Sequence, residues 1–271
     1  PYGKPEIDLS AFLRDDSSGW NLDRSFLRKT PAVKSPFEPN YSNALSNFLK
    51  IENRKPAEPL EDFHKNLAAS VQARTEVALM KLVNRIAKSN PTIKNLCYTG
   101  GVAMNCVANS QVIMSNLFNN VYIPPVTSDR GLSLGCAYLG AVELGDRPIP
   151  LKNAYLGDSY SSNEVLKEVK SNGCAYQTVE DPSKLAAELI LNGKIIGWFQ
   201  GRSEAGARAL GNRSILAKAG GTNIRDEVNK RIKFREKFRP FAPVIQKEAA
   251  SKFFDIGNIE SPYMCSTFSV K

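Results

Sequence analysis

The order of short apolar runs, glycine or proline turns and helical segments sets the fold class of this chain. An apolar run at 95–98 precedes a Gly-Gly pair and a helical stretch, and a second short run at 121–123 ends in a proline pair. A helix rich in small residues is predicted over 131–145. Strand, turn and helix in succession are typical of an α/β layer. The sequence therefore predicts an α/β fold of the mixed α+β kind.

The region before this layer divides into an irregular part and a helical part. Residues 1–60 are rich in Pro, Ser, Asn and charge, so we expect an irregular arm there. Apolar residues then recur mostly at four-residue steps over 61–89. This spacing predicts one long helix or two abutting helices that end at Asn90-Pro91.

A turn at Gly145–Pro150 marks the predicted domain boundary. The pattern beyond it predicts a second unit, so we expect one domain over 1–150 and another over 151–271. The predicted elements of the second unit are helices near 163–171 and 183–192 and a strand over 194–200.

The charge of the chain narrows the class of ligand. Its 36 Lys and Arg against 27 Asp and Glu give a net charge of +9. Such an excess suits nucleic acid, an acidic surface or phosphorylated small molecules, and plain solubility is the alternative.

Cysteine usage and hydropathy indicate the compartment. No CxxC pair occurs among the five scattered cysteines, which predicts buried free thiols in a reducing cytoplasm rather than a disulfide framework or a zinc site. No apolar run approaches the ~20 residues that span a bilayer, and no signal-peptide pattern opens the chain. We therefore expect a cytoplasmic protein with no membrane partner.

The first two motifs are turns that lead into helices. Gly100 and Gly101 follow a predicted strand, so the backbone there could approach a ligand and offer helix-start N–H groups to phosphate, with Asn105 adding a polar contact. A tight turn that needs glycine for geometry alone is the alternative. Asp129 precedes the helix at 131–145, where it is a helix cap or a metal ligand. The single histidine, His64, does not complete a metal site.

The third motif is a glycine- and arginine-rich segment over 201–216. Arg202, Arg208 and Arg213 stand among glycines and alanines directly after the apolar strand. Small neighbours leave space beside guanidinium groups, which favours a pocket for an oxyanion. We expect Glu204 to orient one of the arginines, and a salt-bridged surface loop is the alternative.

The fourth motif, 229–243, is a basic segment with interleaved apolar residues. Six cations lie within 230–239, interrupted by Ile232, Phe234 and Phe238. The phenylalanines predict that part of the segment is buried, with Lys233 and Arg239 pointing inward beside them. The alternative is an RNA-binding strip, because basic residues among aromatic ones also suit stacking on bases.

These four motifs, in this order, resemble the O-carbamoyltransferases of the nodulation protein U and cephamycin/tobramycin carbamoylation type. The likeness covers essentially the whole chain and corresponds to the C-terminal portion of that family. It implies that 1–150 is the C-terminal part of an actin/hexokinase-like (ASKHA) domain. It also implies that 151–271 is a YrdC-like α/β domain, truncated at its C-terminus.

The resemblance implies a chemistry as well. In the family, carbamoyl phosphate and ATP give a carbamoyl adenylate in the YrdC-like domain. The actin-like domain, which binds a divalent metal (Fe or Mg), then transfers the carbamoyl group to a hydroxyl of a small acceptor such as a sugar, an antibiotic or a nodulation-factor-like molecule. The expected partners are this acceptor and a missing N-terminal region of the same protein, and a homodimer is left open.

Residue by residue, the resemblance assigns three roles. It implies a metal ligand at Asp129. The residues expected to be catalytic are Arg208, Lys233 and Arg239. The residues expected to bind nucleotide and phosphate are Gly100, Gly101, Asn105, Arg202, Arg213, Ser214, Asn229 and Arg235.

Two departures from the family keep rival functions open. The usual Gly-Pro-Arg reads Gly206-Ala-Arg208, and the usual Ala-Asp-Pro reads Ala217-Lys-Ala219. The family's N-terminal metal-binding histidines are absent from this chain. The rivals are a tRNA threonylcarbamoylation-type or hydrogenase-type enzyme, a nucleic-acid-binding module that uses 230–239, and a non-catalytic scaffold.

Overall fold

The chain folds as two compact units. A computed structural model describes residues 3–16, 19–27, 41–52, 54–55, 58–220, 223–257 and 259–271. The first unit consists of the described residues of Pro1–Leu96 and Ser110–Val121. The second consists of Cys97–Asn109 and the described residues of Tyr122–Lys271. All the predicted site residues belong to the second unit.

The first unit is built on a single long helix, which confirms the prediction for 61–89. The helix, α2, begins after Glu61, whose backbone N–H donates to Nδ1 of His64 at 3.0 Å. His64 is thus a residue of the helix start. The helices and strands of this unit before residue 90 are β1 (Leu13–Asp16), β2 (Gly19–Leu22), α1 (Asn43–Leu49) and α2 (Asp62–Ser89).

The N-terminal region contains more regular structure than its composition predicts. Strands β1 and β2 form an antiparallel hairpin with Leu13 opposite Leu22, and α1 follows it. The irregular arm predicted for 1–60 was therefore wrong for these stretches. Within 1–60, residues 1–2, 17–18, 28–40, 53 and 56–57 lie outside the described residues. Short elements with many polar residues carry weak sequence signals, since packing decides them more than propensity does.

A strand–turn–helix succession carries the first two motifs, as predicted. Strand β3 pairs with strand β4. A short 3₁₀ turn lies between β3 and the helix α3, and another lies between β4 and the helix α4. The elements are β3 (Asn95–Cys97), a 3₁₀ turn (Gly101–Met104), α3 (Cys106–Met114), β4 (Asn120–Tyr122), a 3₁₀ turn (Asp129–Gly131) and α4 (Leu132–Glu143).

The remainder of the second unit consists of two capped helices, a hairpin and a basic segment. Its hairpin pairs Ile196 with Leu216 and Phe199 with Arg213, so the third motif is the connection between two antiparallel strands. The elements are α5 (Ser162–Ser171), α6 (Pro182–Leu191), β5 (Ile196–Phe199), β6 (Arg213–Leu216), α7 (Ile224–Val228), a π-helix (Asn229–Lys233) and α8 (Lys247–Phe253).

These helices and small sheets make a mixed α+β protein, which confirms the coarse fold prediction. The sheets of the described residues have two strands each. The boundary predicted near residue 150 stays a prediction. Across the described ranges, no helix is both long enough and apolar enough to cross a membrane.

The predicted burial of the cysteines was wrong. All five are thiols rather than disulfide-bonded, but none is fully buried. Cys136 shows why, because it lies on α4, a helix of apolar and small residues in which no residue is buried. An apolar segment therefore does not ensure a buried thiol here. The exposed cysteines are Cys97, Cys136 and Cys174, and the half-buried ones are Cys106 and Cys265.

The start of α6 depends on one side chain that can be tested. Asp181 accepts a hydrogen bond from the backbone N–H of Lys184 at 2.9 Å, and Pro182 occupies the first turn. We expect Asp181→Ala to lower the free energy of unfolding by about 1 kcal/mol, because it removes this cap. Asp181→Ser keeps an acceptor and should restore most of the loss. Urea denaturation measures both, and equal stability of the alanine variant and the wild type would contradict the capping role.

Candidate functional site

A buried carboxylate organises the third motif. The side chain of Glu204 has 0% of its surface exposed. Its Oε1 accepts from the backbone N–H of Leu210 and of Asn212 at 2.8 Å each, and from that of Arg213 at 3.1 Å. Its Oε2 accepts from Nε of Arg213 at 2.9 Å. One carboxylate thus fixes the course of the chain from 204 to 213.

These hydrogen bonds keep Glu204 ionised. Burial alone would raise the pKa of Glu204. The backbone N–H of Leu210, the side chain of Arg213 and the backbone N–H of Asn212 together lower the pKa to about 2. Donors aimed at a carboxylate favour its charged form. The loop is therefore built around a permanent negative charge at neutral pH.

Two of the three predicted arginines donate hydrogen bonds to other groups of the same chain. Arg213 donates to the side chain and to the main-chain carbonyl of Glu204, which confirms that Glu204 orients one arginine. Arg202 donates through Nε to the carbonyl of Gly157 at 2.7 Å and through Nη2 to that of Leu156 at 3.2 Å. Both arginines hold loops, so any ligand would meet only their remaining N–H groups.

Arg208 differs from these two because it reaches another motif. Its Nη2 lies 3.4 Å from the carbonyl oxygen of Met104, in the turn of the first motif. Arg208 is half-buried, and it makes no other hydrogen bond or ion pair in the described part of the chain. A guanidinium group has five N–H donors. Most of its capacity therefore remains for an anionic ligand beside the glycine turn.

A close backbone contact brings the second motif, residues 125–131 around Asp129, to the same place. Gly206 has a φ of +101°, and a Cβ built on it would lie 2.4 Å from the carbonyl oxygen of Pro125. Only glycine can occupy this position without moving one of the two segments. The segment 206–208 thus contacts both the first motif and the start of the second, and three of the four motifs meet within one unit.

The glycine turn has the geometry expected of the first motif. Gly100 has a φ of +98°, and nothing lies within 4 Å of a Cβ built on Gly100 or on Gly101. The turn therefore presents open space, and tight packing is not what requires glycine at Gly101. Asn105 caps α3, because its Oδ1 accepts from the backbone N–H of Ala108 at 3.1 Å. Nucleotide binding by these residues stays a prediction.

Asn109, which was not among the predicted site residues, holds this turn in place. Asn109 is 0% exposed, and its Nδ2 donates to the carbonyl of Ala103 at 2.8 Å and to that of Cys265 at 2.9 Å. Its Oδ1 is buried with no hydrogen-bond partner among the described residues. An asparagine inside a run of small residues, at helical spacing from Asn105, was the available signal. Asn109 joins the first motif to the C-terminal stretch.

Asp129 does not form a metal site with the residues described here. It is exposed, and it starts a 3₁₀ turn that precedes α4, whose N-cap is Gly131. The described ranges contain no group of three or more His, Cys, Asp or Glu side chains that could hold an ion. A divalent metal needs several donors. The donors among the described residues therefore do not fit a metal, and the role of Asp129 as a ligand stays a prediction.

The fourth motif folds around a second buried amide. Asn229 is 0% exposed, and its Nδ2 donates to the carbonyl of Arg239 at 3.0 Å. Its Oδ1 accepts from Nε of Arg235 at 2.6 Å. The guanidinium carbon of Arg235 also lies 4.5 Å from the centre of the Phe241 ring. Asn229 and Arg235 therefore shape the loop, whatever they bind.

The predicted burial of this segment was wrong. Phe234 is 83% exposed, Ile232 and Phe238 are exposed as well, and Lys233 does not point inward. Arg239 is half-exposed and pairs with Glu236 at 2.7 Å. The buried amide of Asn229 folds the loop back through its hydrogen bonds, so the loop forms without burying Phe234. Lys233 forms no hydrogen bond or ion pair within the described ranges.

The third and fourth motifs are not joined by hydrogen bonds or ion pairs. The structure describes every residue of 201–216 and of 229–243, and no hydrogen bond or ion pair of either segment reaches the other. Ser214, predicted to bind nucleotide, accepts from the backbone N–H of Gly211 at 3.1 Å. The structure thus brings Arg208 to the glycine turn, whereas the meeting of Arg208 with Lys233 and Arg239 stays a prediction.

Comparison with known proteins gives two family matches. Residues 36–138 match the model of the carbamoyltransferase N-terminus, and residues 187–271 match that of the carbamoyltransferase C-terminus. The boundary predicted near residue 150 lies in the stretch that neither model covers.

Several curated proteins are similar to the chain. Nodulation protein NolO of Bradyrhizobium diazoefficiens is 37% identical over 97% of the chain and 47% of its own length. The uncharacterized protein sll1178 of Synechocystis is 36% identical over 100% of the chain and 45% of its own length. The 3'-hydroxymethylcephem-O-carbamoyltransferase of Streptomyces clavuligerus is 28% identical over 83% of the chain and 44% of its own length. The chain thus spans less than half the length of these relatives.

The low pKa of Glu204 makes the free energy of unfolding depend on pH. A carboxyl whose pKa is lower in the folded than in the unfolded state stabilises the fold above its unfolded value, and the stabilisation is lost as the pH falls towards the folded value. For Glu204 the window runs from 4.5 down to about 2. We expect about 3 kcal/mol of unfolding free energy to be lost across it.

The Glu204→Gln variant isolates this contribution. Urea denaturation from pH 6 to pH 2.5 should show a smaller pH-dependence for the variant than for the wild type, since the amide does not titrate. Glu188→Gln, an exposed substitution on α6, is the matched control and should follow the wild type. Parallel curves for Glu204→Gln and the wild type would show that the carboxylate does not organise the loop.

Two glycines of the same loop allow the close contact to be tested. Gly206 and Gly211 have similar φ values, +101° and +106°, but only Gly206 would place a Cβ against another segment. We expect Gly211→Ala to cost about 1 kcal/mol from backbone strain alone. Gly206→Ala should cost at least about 2 kcal/mol more, because it also displaces Pro125. Thermal unfolding compares the pair, and equal losses would mean that this contact does not form.

Proposed function

Because the chain belongs to the carbamoyltransferase family, we propose that the protein is an ATP-dependent O-carbamoyltransferase that uses carbamoyl phosphate through a carbamoyl adenylate. The acceptor we propose is a hydroxyl group of a small metabolite. The name of the cephem relative supports a small-molecule branch of the family.

The placement of Arg208 is the observation that carries this proposal. Arg208 is half-buried, uses one of its donors in a hydrogen bond and lies beside the open glycine turn. Glu204 fixes the loop that carries Arg208. Phosphate oxygens suit both a guanidinium fork and the free N–H groups of a turn before a helix. We therefore assign to Arg208 the binding of a phosphoryl group of carbamoyl phosphate or ATP.

The proposed chemistry gives a reason for the density of cations. Water first takes the phosphoryl group of carbamoyl phosphate, which leaves carbamate and phosphate. A carbamate oxygen then bonds to the α-phosphorus of ATP, the bond to the β-phosphate oxygen breaks, and pyrophosphate leaves. Bringing two anions together raises their repulsion, and preorganised cations stabilise the charge that develops. Arg208, Lys233 and Arg239 are the proposed groups for this task.

We propose that 1–150 and 151–271 correspond to the actin-like and YrdC-like domains of the family. On this proposal the carbamoyl group is transferred to the acceptor in the actin-like domain. That step requires the polypeptide that the relatives carry beyond the matched part, and Asp129 would hold a divalent metal only together with donors from that polypeptide. No step is assigned to the metal, since the described residues lack its other donors.

The nucleic-acid alternative has one observation in its favour, the exposed basic and aromatic segment over 230–239. It predicts RNA affinity that falls steeply with salt concentration. The enzyme proposal predicts binding of ATP and carbamoyl phosphate with little retention of RNA, so filter binding at two salt concentrations separates the two.

The direct test is exchange of labelled pyrophosphate into ATP by the full-length protein. We expect exchange that depends on carbamoyl phosphate, because adenylate formation is reversible. Arg208→Ala should lower the exchange rate about 100-fold or more, the loss seen when one stabilising donor is removed from a transition state. Arg147→Ala, an exposed substitution outside the motifs, is the matched control and should leave the rate unchanged.

The two failures of this test have different meanings. Absence of exchange by the wild type would refute adenylate formation. Exchange by the wild type that persists in Arg208→Ala would keep the function and reject the assigned site.

A further inference from the structure

We propose that Phe234 is a stacking platform for the adenine base of ATP. This inference rests on the proposed use of ATP and adds a residue that recognises the base, whereas the arginines and lysines described above recognise phosphate.

The backbone at Phe234 is the first observation. The π-helix Asn229–Lys233 ends at Phe234, which has φ 47° and ψ 49° and donates its N–H to the carbonyl of Asn229. A bulky residue seldom adopts this left-handed conformation, which glycine or asparagine usually occupies. Both π-helical turns and strained residues of this kind concentrate at functional positions.

The exposure of the ring is the second observation. Phe234 is 83% exposed, and its ring has no aromatic or cation–π partner within the described ranges. The neighbouring Arg235 instead lies over the ring of Phe241, at 4.5 Å. Within the segment, the ring of Phe241 thus contacts Arg235, whereas the ring of Phe234 faces solvent.

The loop that carries the ring is held by the hydrogen bonds of a buried side chain. The fully buried Asn229 bonds Arg235 on one side of Phe234 and the carbonyl of Arg239 further along. The loop that carries the ring is therefore held in place before a ligand arrives, which lowers the entropic cost of binding.

The charges around the ring decide which kind of ligand fits. Lys233 directly precedes Phe234 in the chain and Lys230 lies four residues before it; both lysines are exposed, and Lys233 has no ion-pair partner in the described part of the chain. An apolar protein partner would have to desolvate these charges. A planar ring attached to phosphates uses both features, because the base stacks and the phosphates meet the cations. Among such ligands, ATP is the one that the proposed reaction supplies.

The test measures binding of two ligands to the full-length protein by calorimetry. ATP carries a base and inorganic tripolyphosphate does not. We expect Phe234→Ala to weaken ATP binding about tenfold, a loss within the range of one base–aromatic stack, and to leave tripolyphosphate binding unchanged. Phe234→Tyr should retain wild-type affinity for ATP, because it keeps the ring.

Two control variants exclude a structural explanation. Phe234→Gly removes the ring and suits the left-handed backbone, so it should fold at least as stably as the wild type and still lose ATP affinity. Leu144→Ala alters an apolar residue that is 85% exposed elsewhere in the same unit, and it should bind ATP normally.

The outcomes separate this inference from the function on which it rests. Equal ATP affinity in the wild type and in Phe234→Gly would overturn the stacking role while leaving the enzyme proposal intact. Failure of the wild type to bind ATP would overturn both. Tighter binding of a single-stranded RNA than of ATP, lost in Phe234→Ala, would overturn the assignment to ATP and favour the nucleic-acid alternative.

Discussion

The buried carboxylate of Glu204 is the interaction on which the rest of the site depends. Its two oxygens accept four hydrogen bonds from a stretch of four residues, and the side chain has no exposed surface. Any rearrangement of the loop that broke these bonds would leave a charge buried without donors, which is strongly unfavourable. This constraint fixes where Arg208 stands and hence which surface can receive an anion.

Convergence of the motifs follows from this geometry rather than from their order in the chain. Arg208 donates a side-chain hydrogen bond to the carbonyl of Met104, 104 positions earlier in the chain, and the backbone of Gly206 closely approaches the carbonyl of Pro125. The basic segment is shaped separately by Asn229. Two buried polar side chains, each fully bonded to loop backbone or to an arginine, thus organise two clusters of cations. In each cluster the loop is preorganised before any ligand binds.

The sequence predicted those elements whose apolar residues are regularly spaced and whose ends are marked by glycine or proline. The helix α2, the strand β5 and the turn at Gly100 all carry local signals that packing does not override. The sequence did not predict burial or contacts that depend on residues far away in the chain. Phe234 was expected inside because a hydrophobic ring in a basic segment suggests an anchor, but Asn229 folds that loop without one. Asn109 was missed because its partner, Cys265, lies 156 positions away.

The bond between Asn109 and Cys265 has a mechanical consequence. One buried amide clamps the carbonyl of Ala103, in the glycine turn, to the carbonyl of Cys265 near the end of the described chain. A displacement of the turn on binding a ligand is therefore passed directly to the stretch around Cys265 without any intervening element. Local opening of either segment would expose the same side chain to water, so the two should fray and close as one cooperative unit.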